Sequence, residues 1–194
     1  MQIVMIFKFI TKIFLITILS GCMNTNNLIP RTLLFSDPDK VNVQISKDGK
    51  YISHLSPNNG VLNIFVGKNN EALSAKAVTN DKKRGIRSYF WAYNNKNIIY
   101  LQDNEGDENF YLHVLDIETL DDFIVKTDSK TKTQIIKTSQ KYPDKIIIGL
   151  NDRRKDLFDL YKLNIKTHKK ELIYQNDKFI RFDLDDDYNI IFSY

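Results

Sequence analysis

Phe110-Tyr111-Leu112-His113-Val114-Leu115-Asp116-Ile117-Glu118-Thr119 lies over Phe158-Asp159-Leu160-Tyr161-Lys162-Leu163-Asn164-Ile165-Lys166-Thr167 at an offset of 48 residues. Phe, both Leu, Ile and Thr coincide, and Asn63-Ile64-Phe65-Val66 is a shorter counterpart upstream. Ahead of each segment stands an apolar run. These runs begin at Ile52, Ile98 and Ile146, and a fourth begins at Ile190, so the intervals are 46, 48 and 44 residues. Each run follows a turn signal: Asp48-Gly49, Asn94-Asn95, Pro143-Asp144 or Asp186-Asp187. Asp-Gly and Asn-Asn tolerate the positive φ that a tight hairpin demands.

Units of this length, built from short β-rich runs and turns, are the signature of β-propeller blades. Ile98-Ile99-Tyr100-Leu101 and Ile146-Ile147-Ile148 are apolar on both faces of a strand. A sheet with one wet face would alternate, whereas a strand sandwiched between neighbouring blades is buried on both sides. A β-sandwich of irregular strands also fits short strands at regular spacing. No segment sustains a 3.6-residue period over three turns, so helices are not expected. The predicted fold is all-β: a partial β-propeller over residues 29–194, or about three and a half four-stranded blades.

Outward toward the N-terminus the pattern changes. Residues 1–22 read MQIVMIFKFITKIFLITILSGC: Lys8 and Lys12 make a positive start, and Ile13–Leu19 is a short apolar core. That is the layout of a secretory signal. A spanning helix needs about 20 apolar residues, and the run after Lys12 has seven. Leu19-Ser20-Gly21-Cys22 resembles the bacterial lipoprotein box, which implies cleavage between Gly21 and Cys22 and diacylglyceryl transfer to the Cys22 thiol. Residues 1–21 are thus read as a lipoprotein signal peptide and 22–28 as a tether. Two or three acyl chains, at about 0.8 kcal/mol per buried CH₂, would hold the protein on a membrane facing the periplasm or exterior.

Composition narrows the function classes. The net charge is +4, and removing Lys8 and Lys12 leaves the rest near neutral, so no nucleic-acid partner is expected. Cys22 is the sole cysteine, and the three histidines are far apart, which leaves no metal site of ordinary spacing. Neither G-x-x-x-x-G-K-[ST] nor G-x-G-x-x-G occurs, so no nucleotide or other cofactor is expected. Asp183, Asp185 and Asp187 are spaced like calcium-loop ligands, but Tyr188 and Tyr194 stand where Gly and Glu belong; a solvated hairpin turn is the better reading. Asp103–Asn109 reads as an exposed turn. Lys82, Lys83, Arg84 and Arg87 form a basic group. Arg84 and Arg87 are the candidate contacts for an anionic ligand, against the alternative of a solvated loop whose Arg pairs with a carboxylate of a neighbouring blade.

Several stretches together resemble one family. Ile45-Ser46-Lys47-Asp48-Gly49-Lys50-Tyr51-Ile52 is similar to the recurrent I-S-P-D-G-K-x-I/L of Tol-type and peptidase-type propellers, with Lys47 in place of Pro. Leu28-Ile29-Pro30-Arg31, Asn59-Gly60-Val61-Leu62-Asn63, Arg84-Gly85-Ile86-Arg87 with Trp91-Ala92-Tyr93, Gly106-Asp107-Glu108-Asn109 and Gly149-Leu150-Asn151-Asp152-Arg153 follow in order. They resemble the N-terminal propeller of bacterial prolyl oligopeptidase-family serine peptidases, of the acylaminoacyl peptidase and dipeptidyl aminopeptidase types. The resemblance implies a propeller capping an α/β-hydrolase domain that carries the whole serine triad. No serine in these 194 residues has Gly at both −2 and +2, as the nucleophile elbow requires, so no triad residue is assigned. The expectation is a lipid-anchored propeller portion lacking the hydrolase domain and without catalysis of its own. The alternative is a scaffold that joins a downstream-encoded hydrolase half or self-associates.

Overall fold

The computed structural model describes residues 28–35, 39–103, 106–125, 128 and 130–194. The expected leader, the Gly21–Cys22 junction and most of the tether lie outside the described residues. Two units are distinguished, one ending at Pro38 and one running from Asp39 to Tyr194. Of the first, only residues 28–35 are described. They include a one-turn helix, α1 (Arg31–Phe35), that the sequence pattern does not announce. Leu33 N–H and Leu34 N–H donate to the Pro30 carbonyl there.

The second unit is built from antiparallel sheets whose strands follow chain order. The first blade holds β1 (Val41–Ile45), β2 (Tyr51–Asn58), β3 (Val61–Lys68) and the two-residue β4 (Lys76–Ala77). A 3-10 segment, Asn69–Ser74, leads into β4. The second blade holds β5 (Tyr89–Trp91), β6 (Asn97–Asp103), β7 (Phe110–Asp116) and β8 (Asp122–Val125). The third holds β9 (Thr133–Thr138), β10 (Lys145–Leu150), β11 (Asp159–Asn164) and β12 (Lys170–Tyr174). A fourth sheet has two strands, β13 (Phe182–Leu184) and β14 (Ile190–Ser193). Three four-stranded sheets and a half sheet make the partial propeller that the repeat predicts. The apolar runs are the second strands, and the matching segments at 110 and 158 become the third strands and the turns after them.

Turn chemistry explains why the hairpins close where they do. Between β2 and β3, Asn59 and Gly60 both take positive φ, 53° and 82°, as a two-residue type I′ turn requires. Between first and second strands, Gly49, Asn95 and Tyr188 occupy the left-handed position at φ 75°, 59° and 68°. The third-to-fourth turns repeat to the atom. Asp116 Oδ1 accepts from Glu118 N–H and Thr119 N–H, and Asn164 Oδ1 accepts from Lys166 N–H and Thr167 N–H. Leu120 and His168 then take φ 63° and 60°. The hairpin turn between β13 and β14 follows Asp183 and Leu184, and there Asp185 Oδ1 accepts from Asp187 N–H and Asn189 N–H.

The core lies between the sheets. Ile98 faces the first blade with Leu55, Ile64 and Trp91, while its neighbour Ile99 faces the third with Ile146, Ile148 and Leu163. Ile147 points the other way, toward Phe182, Leu184 and Tyr188 of the half sheet. A fully buried side chain of this size contributes about 1.5–3 kcal/mol, and β6 and β10 each spend both faces this way. Tyr89 and Trp91 are buried, and Phe90 and Tyr93 half-buried, in keeping with the preference of aromatic side chains for strands.

Polar latches join successive blades at the turns. Asp48 N–H donates to Asn95 Oδ1, Asn94 Nδ2 donates to Asp144 Oδ1, and the Ser139 hydroxyl donates to the Asp186 carbonyl. At the outer ends the pattern of burial stops. Val43 and Ile45 on β1 are exposed, and on β14 Ile191 and Phe192 are 54% and 65% exposed. Among the described residues, β14 pairs only with β13.

Candidate functional site at the start of the second blade

The segment between β4 and β5 carries the two arginines singled out in the sequence. It is pinned by Asp81. Its carboxylate accepts from Lys83 N–H at 3.2 Å, from Gly85 N–H at 2.5 Å and from Gln102 Nε2 at 2.8 Å. Its own N–H donates to Asn63 Oδ1 at 2.7 Å. Burial pushes the Asp81 carboxyl upward, but these hydrogen bonds outweigh it and hold the group below the usual carboxylate range. Gly85 takes φ +77°, and a Cβ there would lie 3.2 Å from the backbone of Leu62, so the position favours glycine on two counts. Ile86 then docks its N–H on the Leu62 carbonyl and buries its side chain completely.

Arg84 and Arg87 flank this anchored pair and line one cleft of about 310 Å³ with Ser88, Leu101, Asp103 and Phe110. The arginines are not equivalent. Arg84 lies 3.4 Å from Asp103 Oδ2, and the Asp103 side chain is only 6% exposed. That oxygen has no hydrogen-bond partner, so Arg84 supplies its compensating charge. Arg87 is exposed, and no carboxylate among the described residues pairs with it. The site therefore offers one free guanidinium beside one neutralised pair. Within the expected exposed turn at Asp103–Asn109, Asp107 and Glu108 are exposed, Gly106 and Asn109 are half-buried, and β6 runs on through Asp103 and turns its carboxylate inward.

A second polar centre was not legible in the sequence. Arg153 grips Asp159 with Nε at 2.8 Å and Nη2 at 2.9 Å, and Nη2 also donates to the Asn176 carbonyl at 2.6 Å. Asn176 N–H donates to Asp159 Oδ1, and the Asn176 side chain ties Phe158 and Phe179. The Arg153 guanidinium holds the Asp159 carboxyl below the usual range. This centre closes the third blade against the segment leading to the half sheet.

Stacked four-stranded meanders with apolar seams between them define the molecule as a β-propeller portion. No family model matches the chain. It is 39% identical over 167 residues to dipeptidyl aminopeptidase BIII of Pseudoxanthomonas mexicana, a match covering 86% of this chain and 24% of that protein. It is 29% identical over 171 residues to dipeptidyl peptidase family member 6 of Caenorhabditis elegans, covering 84% and 23%. The chain thus spans about a quarter of the length of the curated relatives it matches. Among solved structures it is similar in fold to the β-propeller domain of the Trilobed protease from Pyrococcus furiosus. That match has a TM-score of 0.50 and 21% identity, over 73% of this chain and 45% of that one. It is likewise similar to Pyrococcus horikoshii acylaminoacyl peptidase, with a TM-score of 0.50 and 19% identity, over 74% and 26%. The chain is thus a peptidase-type propeller portion, similar over most of its own length to these dipeptidyl peptidases.

Proposed function

We propose that this chain is the membrane-held propeller part of a dipeptidyl-peptidase-type system and hydrolyses no peptide by itself. One observation carries the reading: its match to dipeptidyl aminopeptidase BIII covers a quarter of that protein, and these residues contain no nucleophile elbow. Hydrolysis then requires an α/β-hydrolase domain outside residues 1–194. The Leu19-Ser20-Gly21-Cys22 box supports anchoring through lipid on Cys22 in the cell envelope. Purified chain is expected to leave dipeptidyl and acylaminoacyl chromogenic substrates intact and to take up no fluorophosphonate. Alkyne-palmitate fed to expressing cells is expected to label the wild type and not Cys22→Ser. Turnover with fluorophosphonate labelling of any serine would end the first half of this reading, and label retained by Cys22→Ser the second.

The bare outer edge of β14, with Ile191 and Phe192 exposed, favours a second reading: a scaffold whose ends are completed by further propeller strands. A row of free N–H and C=O groups beside apolar side chains is a template for pairing. On this reading, light scattering of the detergent-solubilised chain gives a protein mass well above 22.7 kDa. A folded monomer at micromolar concentration would remove it.

A further inference from the structure

Arg87 and Ser88 lead into β5 between two buried neighbours, Ile86 and Tyr89. Their backbone is held on both sides while both residues are exposed. Among the described residues, neither the Arg87 guanidinium nor the Ser88 hydroxyl has a partner. Both line the small cleft with Leu101, Asp103 and Phe110. Asp103 and Phe110 are register partners across the β6–β7 hairpin, and Leu101 lies two residues before Asp103. Register partners share a face of the sheet, as do residues two apart on one strand. These three side chains therefore stand on one face. Phe110 is 46% exposed, whereas Phe158, its counterpart in the third blade, is half-buried. The second blade thus presents a bare aromatic ring in the same cleft as a bare guanidinium.

Charge and shape decide what such a cleft takes. A guanidinium is a planar fork of donors with no acceptor. Two parallel N–H groups match both oxygens of a carboxylate, and the Ser88 hydroxyl supplies a further donor. Of the lining residues, Arg84 and Arg87 are positive and Asp103 is negative, so one positive charge is left over. Arg84 stays committed to Asp103, because moving it away would strand a carboxylate whose side chain is 6% exposed. One free charge answers a monoanion and leaves a phosphate dianion half unpaired. Phe110 and Leu101 favour an apolar group next to that anion, since covering an exposed ring removes apolar surface from water. A volume of about 310 Å³ lies at the small end of ligand sites and suits a single residue.

We propose that this cleft binds a carboxylate carried on an aromatic or branched apolar group, as at the C-terminus of a peptide ending in Phe or Leu. Both carboxylate oxygens lie on Arg87, and the apolar group covers Phe110 and Leu101. The proposal rests on the geometry of the cleft and is independent of the peptidase-type reading of the chain.

The test uses the full chain in detergent micelles with ¹⁵N-labelled arginine; Arg87→Lys identifies the Arg87 Nε signal by its loss. N-acetyl-phenylalanine is titrated in, with its amide as the uncharged control of like shape and inorganic phosphate as the competing anion. The acid is expected to move the Arg87 Nε resonance saturably at millimolar concentration, while the amide leaves it in place. Phosphate should need a concentration higher by roughly fivefold or more, because it gains nothing from the apolar wall. Phe110→Ala, at an exposed position, should weaken the response to the acid by a similar factor. An unmoved Arg87 signal, equal shifts from acid and amide, phosphate binding as tightly as the acid, or a response untouched by Phe110→Ala would each overturn the proposal. The first three comparisons need only the wild-type protein, so they stand even where Phe110→Ala disturbs the hairpin.

Discussion

Trp91→Ala is expected to cost about 3–5 kcal/mol of folding stability, seen by circular dichroism as a fall in the thermal midpoint of roughly 6–20 °C for a chain of this size. Trp91 is 2% exposed at the seam between the first two blades. Its ring stacks over Tyr51 at 6.0 Å, and Nε1 donates to Ser53 Oγ at 2.8 Å. Tyr89 Oη lies 2.9 Å from the same Ser53 oxygen and 2.8 Å from the Asn42 carbonyl. Burial pushes the Tyr89 hydroxyl up to about 12, so it remains protonated across the working range. Alanine therefore leaves a void and takes a partner from a buried hydroxyl. Trp91→Phe fills most of the void but loses the N–H, so its expected cost is smaller, about 1–2 kcal/mol by the usual worth of one buried hydrogen bond. If both variants melt with the wild type, the seam is not where the blades are joined.

Arg153→Ala should destabilise by about 3 kcal/mol at pH 7, the low end for breaking a buried ion pair. The low end applies because the Arg153 side chain is 35% exposed while that of Asp159 is 5% exposed. The loss leaves the Asp159 carboxylate buried with only the Asn176 N–H to answer it. The pH dependence has a definite sign. Asp159 is held below the ordinary carboxylate range, so its stabilisation is complete above about pH 4, the unfolded value. It fades as pH falls through the lower folded value. In the variant the unpaired carboxyl is pushed upward by burial and takes a proton readily. The gap between the two melting temperatures should thus be widest near neutrality and close in acid. A gap that widens in acid, or a variant within 1 kcal/mol of wild type at pH 7, would show that water solvates Asp159.

What could be read in advance follows the range of the interactions. The second strands announce themselves because burial on both faces leaves an unbroken apolar run, as at Ile98–Tyr100 and Ile146–Ile148. Their turns announce themselves because Gly49 and Asn95 suit positive φ; Tyr188, bulky and in the same conformation, gives no such signal. The outermost strands are short, and β4 is only two residues, so no period could form. Arg84 and Arg87 were visible as a charge group, but their inequality was not, since it hangs on Asp103 across a hairpin. Tyr100, His113 and Asp122 come from three separate strands, and only the register of Tyr100 opposite His113 brings two of them together. Cys22 and Gly21 fall outside the described residues.

The latches at the turns reach only the next blade: Asp48 to Asn95, Asn94 to Asp144, Ser139 to Asp186. Cooperativity in such an array is passed hand to hand and weakens toward its ends. Melting can therefore start at the half sheet and travel inward while the first seam stays shut. Trp91, the one tryptophan, sits in that seam and would be the last to report it.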